Sequence, residues 1–259
     1  MSATNDYLIK CRDLIDSVAA QQTAIQTGAS WFTETILKGR MVHVFGSGHS
    51  RIMVEEMWPR YGSFPGFNPM VELSLTFHNL VVGANGQRQA MFLENVEGLA
   101  ERILRNFSIS SEDTALVISS SGCNIVPIEM AQLFQKSGIS VVALVSLAHL
   151  EKSQSKRSDG RKLTDFADLV LDTGAPVGDA SVYVDQLDTP VAPASTVGGT
   201  MVINCLKAET AHLLTQAGQP PKVLSSAAVV GAEKARDLFE SAYDEHAHRL
   251  ARLYQDVGK

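Results

Sequence analysis

The sequence predicts an α/β domain: a doubly wound parallel sheet with helical extensions at both ends. Two observations predict it. Short apolar runs at 41–45, 116–118, 139–145 and 169–172 alternate with longer segments whose apolar residues recur at helical spacing, as strands and crossover helices do. Two of those runs pass directly into small-residue turns, F-G-S-G-H-S at 45–50 and I-S-S-S-G-C-N at 118–124, each followed by a helix start. In open α/β folds such turns meet at the carboxyl edge of the sheet, where ligands bind.

In chain order, residues 5–30 read as a helix with Leu8, Ile9, Leu14, Ile15, Val18 and Ala19 at helical spacing, extended by Ile25 and open to breakage at Gly28. A second helix at 32–38 leads into the first strand. Residues 1–38 thus form an N-terminal helical extension, 39–218 the core and 223–259 a C-terminal helix of one domain. After the first turn, 52–57 continue as a helix. Pro59, Gly62, Pro65, Gly66 and Pro69 then interrupt regular structure, so 61–68 reads as an aromatic loop. Residues 77–82 form a short apolar run, Asn85-Gly86 a turn, and 94–107 a helix.

Pro127 is tolerated in the first turn of the helix after the serine-rich turn, which runs to Lys136 and stops at Gly138. A strand at 139–145 follows, then an exposed polar connection at 151–161 and a short strand at 169–172. Residues 174–188 are rich in turn formers around an apolar insert at 182–184. Residues 199–216 read as a long helix, and 223–254 as mostly another, capped at Ser225 or Ser226.

Composition narrows the function classes. A chain of 259 residues with 45% apolar content has room for one substantial α/β core. Its 22 basic and 28 acidic residues give a net charge of -6 with no dense basic cluster, which argues against nucleic acid as a partner. No apolar run reaches membrane-spanning length, and residues 1–21 carry Asp and Lys where a signal peptide would be apolar. Cys11, Cys123 and Cys205 are isolated, as expected of a reduced, cytoplasmic protein. They offer no metal spacing and no H-E-x-x-H occurs, so neither a metal nor another cofactor is expected. Cys123 in the second turn is either a small buried residue or a thiol activated by a helix start.

The turns carry the candidate site. Ser47, Gly48 and Ser50 in the first, and Ser119, Ser120, Ser121 and Asn124 in the second, offer hydroxyls and backbone N–H groups to an anion at a helix start. Neither turn has the spacing of G-x-G-x-x-G or G-x-x-x-x-G-K-[ST], so the anion belongs to a small metabolite rather than a nucleotide. Arg51 adds a positive charge, and His49 can move a proton near neutral pH. Glu55 and Glu56 follow on the same helix. Adjacent helical residues diverge by about 100°, so one of the two serves the site. Glu94 and Glu97 stand about a turn apart on the predicted helix at 94–107.

Taken together, the two turns resemble those of the sugar isomerase (SIS) domain family, the second matching its S-x-S-G-x-[TN] phosphate motif with Asn124 at the last position. Residues 195–214, with G-G-T at 198–200, resemble the helix that closes the family site. The resemblance implies a flavodoxin-like sheet, a sugar phosphate as ligand, Ser195 and Thr196 among the binding residues, and a homodimer or dimer of dimers with shared sites. Within the family, E-M-W-P-R-Y-G at 56–62 is similar to a motif of the N-acetylmuramic acid 6-phosphate etherase branch, with Trp58 in place of a proline. L-E-N-V-E at 93–97 is similar to the segment carrying its second acid, with Asn95 in place of a carboxylate. D-L-V-L-D-T-G-A-P at 168–176 recurs in an SIS-like group long without an assigned activity.

That resemblance implies a carboxylate base acting at C2 of a ring-opened amino-sugar phosphate, where the C1 aldehyde acidifies the proton. Glu56 is the favoured base, Glu55 the runner-up, and Glu94 the partner acid. Loss of the C3 hydroxyl as water would make the protein a dehydratase, most simply of N-acetylglucosamine 6-phosphate. Loss of lactate would make it an etherase, return of the proton to C1 an aldose–ketose isomerase, and absence of chemistry a sugar-phosphate sensor.

Overall fold

The computed structural model describes residues 2–76, 86–255 and 257. The predicted apolar run at 77–82 lies outside them. Helices α1 (Ala3–Ala19) and α2 (Gln22–Leu37) precede strand β1 (Val42–Gly46), a 3₁₀ turn (Gly48–Ser50) and α3 (Arg51–Met57). Next come β2 (Phe67–Met70), α4 (Leu73–Thr76), α5 (Gln87–Leu93), α6 (Leu99–Leu104), β3 (Thr114–Ile118), α7 (Ile125–Lys136), β4 (Ser140–Val145), α8 (Leu147–Lys152) and β5 (Leu169–Asp172). A ribbon of β6 (Ala180–Val182) and β7 (Val191–Pro193) leads to α9 (Ser195–Gln216), α10 (Ala227–Val230) and α11 (Ala232–Leu253).

Five strands form one parallel sheet in the order β2-β1-β3-β4-β5. That is the flavodoxin-like order, in which the direction of winding reverses between β1 and β3. The central strands are apolar nearly throughout because both faces are covered. Alternate residues sort between two cores. Val42, Val44, Leu116, Ile118, Val142 and Leu144 pack under α2, α3 and α9. Phe45, Ala115, Val117, Val141, Ala143 and Val145 pack under α6 and α7. His43 is the polar exception within β1. It is fully buried and bonded at 3.1 Å on both ring nitrogens, to Asp113 and to Asn68.

Several element boundaries differ from the sequence-based expectation. The N-terminal break falls at Ala20-Gln21, and Gly28 lies inside α2, packed against Leu206 and Leu169. The aromatic loop ends in a fifth strand, β2, which tolerates Pro69 because it lies at the sheet edge. The helix expected at 94–107 is two pieces: Glu94 closes α5, and α6 starts only after Gly98, whose N–H is taken by the Glu129 carboxylate. The C-terminal helix is likewise split, with Ser226 capping short α10 and Gly231 preceding α11. Of the insert at 182–184, Val182 alone falls in a strand, as the last residue of β6.

Helix α9 presses closely on the sheet. A Cβ at Gly198 would stand 1.8 Å from the Thr173 carbonyl oxygen, and one at Gly199 would stand 2.0 Å from the Met53 sulfur. The G-G-T stretch is therefore what lets the start of α9 approach β5 and α3. Trp58, 1% exposed, closes α3 against α11, with ring centroids 5.4 Å from Tyr243 and 5.1 Å from His246. Among the described residues no helix is long and apolar enough to cross a membrane.

Candidate active site

The two serine turns are neighbours in space. In the register of β1 and β3, Gly46 lies opposite Ile118, so Ser47 and Ser119 leave the sheet side by side. Parallel strands stand about 4.8 Å apart. The turns close because Gly48 and Gly122 take left-handed φ values of +58° and +61°. Ser119 Oγ accepts from the Gly122 N–H at 3.2 Å and Ser121 Oγ from the Cys123 N–H at 3.3 Å. Asn124 begins α7 without capping it through its own side chain; the Val126 N–H in the first turn is taken by the Glu94 carbonyl at 2.9 Å, and the helix dipole still favours an anion there.

A cleft of about 390 Å³ opens at this edge. It brings together Ser47, Gly48, His49, Ser50, Ser119, Ser120, Ser121, Asn124, Ser195 and Thr196 with Glu94. It also gathers residues that sequence reasoning missed, chiefly Gln87, His149 and Asp179. His149 Nδ1 accepts the Gly178 N–H at 2.8 Å, so a neutral ring carries its proton on Nε2. Asp179 binds the start of α9: its carboxylate accepts from the N–H groups of Ala194 and Ser195 at 3.0 and 2.6 Å and from the Ser195 hydroxyl at 2.8 Å. Ser195 reaches the cleft, but its N–H and hydroxyl are engaged by that carboxylate. Asp179 takes a φ of 72° to do so, a backbone state that costs a non-glycine residue about 1 kcal/mol.

Glu94 is 8% exposed. Burial pushes its carboxyl above the usual range, and hydrogen bonds from the Ser47 hydroxyl and the Asn124 amide only partly oppose this. Asn95 Nδ2 donates to the Met91 carbonyl at 2.8 Å and does not line the cleft.

Glu56, Glu55 and Arg51 are placed differently from the expectation and lie outside this cleft. The Glu56 and Glu55 side chains line a separate surface groove with Arg60, Tyr61 and Leu224. Glu56 is bonded to Arg60 and, at 2.8 Å, to Asn204. Burial alone would raise it, but those bonds and the charges of Arg60 and Lys207 hold it below the usual range. Lys207, a buried residue of α9 not singled out in the sequence, donates to the Glu56 carbonyl oxygen at 2.8 Å and to Ser63 Oγ at 3.0 Å. Glu55 is 53% exposed and stands 3.7 Å from Arg51. The turn after β1 is short enough to fix where α3 begins, but packing against α9 fixes its rotation and takes Glu56 away from the cleft. Cys123 is buried, and burial pushes its thiol up despite nearby Lys162 and Lys156, opposite to an activated thiol.

Comparison with known proteins gives a consistent picture. The SIS domain family matches residues 6–146. UPF0309 protein BH3325 of Halalkalibacterium halodurans is 34% identical over 243 residues, covering 93% of this chain and 98% of the relative. UPF0309 protein Teth39_1980 of Thermoanaerobacter pseudethanolicus is 30% identical over 234 residues, covering 88% and 92%. Among solved structures, a phosphoheptose isomerase from Francisella tularensis superposes with a TM-score of 0.51 at 14% identity, over 81% of this chain and 98% of that one, a likeness of fold.

Proposed function

The chain belongs to the SIS domain family, and from that premise we propose that its cleft binds a sugar phosphate and acts on it by removing the C2 proton. The phosphate sits on the serine turns after β1 and β3, held by hydroxyls and by the start of α7. The observation that carries the reading is Glu94. It is the buried carboxyl facing the same cleft, and its raised pKa brings a general base closer to the operating pH. Within one protomer Glu56 faces another groove, so Glu94 takes the role of base. In the homodimer implied by the family resemblance, Glu56 would meet a ligand only if that groove faced the partner's cleft.

The preferred reaction is dehydration of N-acetylglucosamine 6-phosphate in its open form. Glu94 takes the C2 proton as the C2–H electron pair moves toward the aldehyde. The resulting enolate forms the C2=C3 bond and breaks the C3–O bond, and the departing hydroxide takes the proton from Glu94 and leaves as water. One carboxyl thus returns to its starting state, and protons and electrons balance within the substrate. The bound phosphate orients C2 toward the base. Isomerisation uses the same first step and returns the proton to C1. The favouring observation for this second reading is His149, whose Nε2 proton is available to move between neighbouring oxygens.

The test is to incubate the purified protein with acetylated and non-acetylated sugar phosphates and follow products by mass spectrometry. Loss of one water's mass from N-acetylglucosamine 6-phosphate is the expected outcome. A product of unchanged mass would select isomerisation, and no turnover of any acetylated amino-sugar phosphate would reject the dehydratase.

A further inference from the structure

Two carboxylates line the cleft, Glu94 and Asp179, and among the described lining residues there is no lysine or arginine. Among the described lining residues the anion seat is therefore built of hydroxyls and backbone dipoles, with His49 and His149 beside them. Asp179 occupies a distinctive place within it. Its carboxylate already covers the positive end of α9, a helix of 22 residues, through two backbone N–H groups and the Ser195 hydroxyl. Those donors are thus taken from the ligand's phosphate, which turns to the hydroxyl-rich turns after β1 and β3. Asp179 Oδ2 accepts from Ser195 and retains a lone pair for a neutral donor such as a sugar hydroxyl. A second anionic group on the ligand would instead meet like charge, and no lysine or arginine stands among the described lining residues to offset it.

We infer that Asp179 is a specificity-determining residue that restricts the cleft to sugar phosphates whose phosphate is their only anionic group, and that it rejects those bearing an additional carboxylate such as a lactyl ether. The inference rests on the sugar-phosphate reading above and sharpens it, because it supplies a physical reason for water, not lactate, to be the group lost from C3.

Isothermal titration calorimetry with N-acetylglucosamine 6-phosphate and N-acetylmuramic acid 6-phosphate tests the inference directly. The unaltered protein should prefer the first by about ten-fold, an advantage that shrinks as salt screens the repulsion. Asp179→Asn keeps the shape and most of the hydrogen bonds while removing the charge, and should reduce the preference to about three-fold or less. Equal affinity for the two sugars in the unaltered protein, or an undiminished preference in folded D179N, overturns the inference and leaves the sugar-phosphate reading standing. Binding of neither sugar overturns that reading and the inference with it. If D179N fails to fold, the salt series on the unaltered protein decides: a preference that does not change with salt means exclusion by shape and overturns the charge-based inference.

Discussion

Asp113 and Glu94 are buried carboxyl groups serving opposite ends of the same two strands. At the amino end, Arg40 clasps Asp113 through two nitrogens at 2.7 and 2.8 Å, His43 Nε2 stands 3.1 Å away, and the Ser110 N–H donates at 2.7 Å. Burial alone would raise Asp113, but His43 and Arg40 bring it below the usual range. At the carboxyl end, Glu94 is buried to a similar degree, yet among the described residues its side chain meets neutral donors, Ser47 and Asn124, and its pKa is raised. The difference shows what decides protonation inside this sheet. Depth is shared by both sites, whereas a formal positive charge is present at one and replaced by dipoles at the other. The matched carboxylate holds β1, β2 and β3 together, and the other keeps its raised pKa.

The comparison breaks most visibly at Glu94 itself. Glu94→Gln should lower turnover about 1000-fold, within the range ordinary for a lost general base, while phosphate-sugar affinity and the folded state persist. Steady-state kinetics beside calorimetry check this, and full activity in E94Q would remove Glu94 from the chemistry. Next comes Asp113→Ala, which leaves Arg40 and His43 without their common partner and should cost about 3 kcal/mol of folding stability. Chemical denaturation reads that loss, and a variant as stable as the parent would show the network to be dispensable.

The two carboxyls should also affect stability with opposite signs as pH changes. Asp113 has a folded pKa below its unfolded value near 3.9. Its contribution is therefore present above that pH and lost as pH falls through the folded value. Glu94 has a folded pKa above its unfolded value near 4.3. The folded state then holds the proton longer, and stability declines as pH rises from that value through the folded one. Denaturation across pH should show D113N less stable than the parent at neutral pH and E94Q level with it near pH 4 but more stable toward neutrality. The same sign for both variants at neutral pH would refute the contrast. The smallest effect is expected at Cys123, whose thiol is buried and pushed up. Cys123→Ala should leave turnover within about two-fold in the same assay, and a larger loss would revive the thiol as a participant.

Much of the cleft's architecture was legible in the sequence because it is local. A strand, a turn of glycine and small hydroxyl residues, and a helix start dictate one another over a few residues, so Ser47, Gly48, Ser50, Ser119, Ser120, Ser121 and Asn124, which line one cleft, could be grouped before their distances were known. The doubly wound sheet was legible for the same reason, since apolar strand runs and helical spacing are read directly from the chain. The β2 strand was not, because its edge position is what excuses Pro69 from the sheet hydrogen bonds.

The sequence by itself determined the parallel sheet, its two serine turns and the presence of carboxylates nearby. Only the tertiary structure decided which carboxylate lines the cleft. Helix α9 turns Glu56 toward Asn204 and Lys207, the closure of α5 brings Glu94 to Ser47 and Asn124, and the ribbon before α9 brings Asp179 to the opposite wall. Hydrogen bonding within a turn spans a few residues, whereas the direction of a side chain on a helix follows from packing between segments more than a hundred residues apart, as between Glu56 and Asn204.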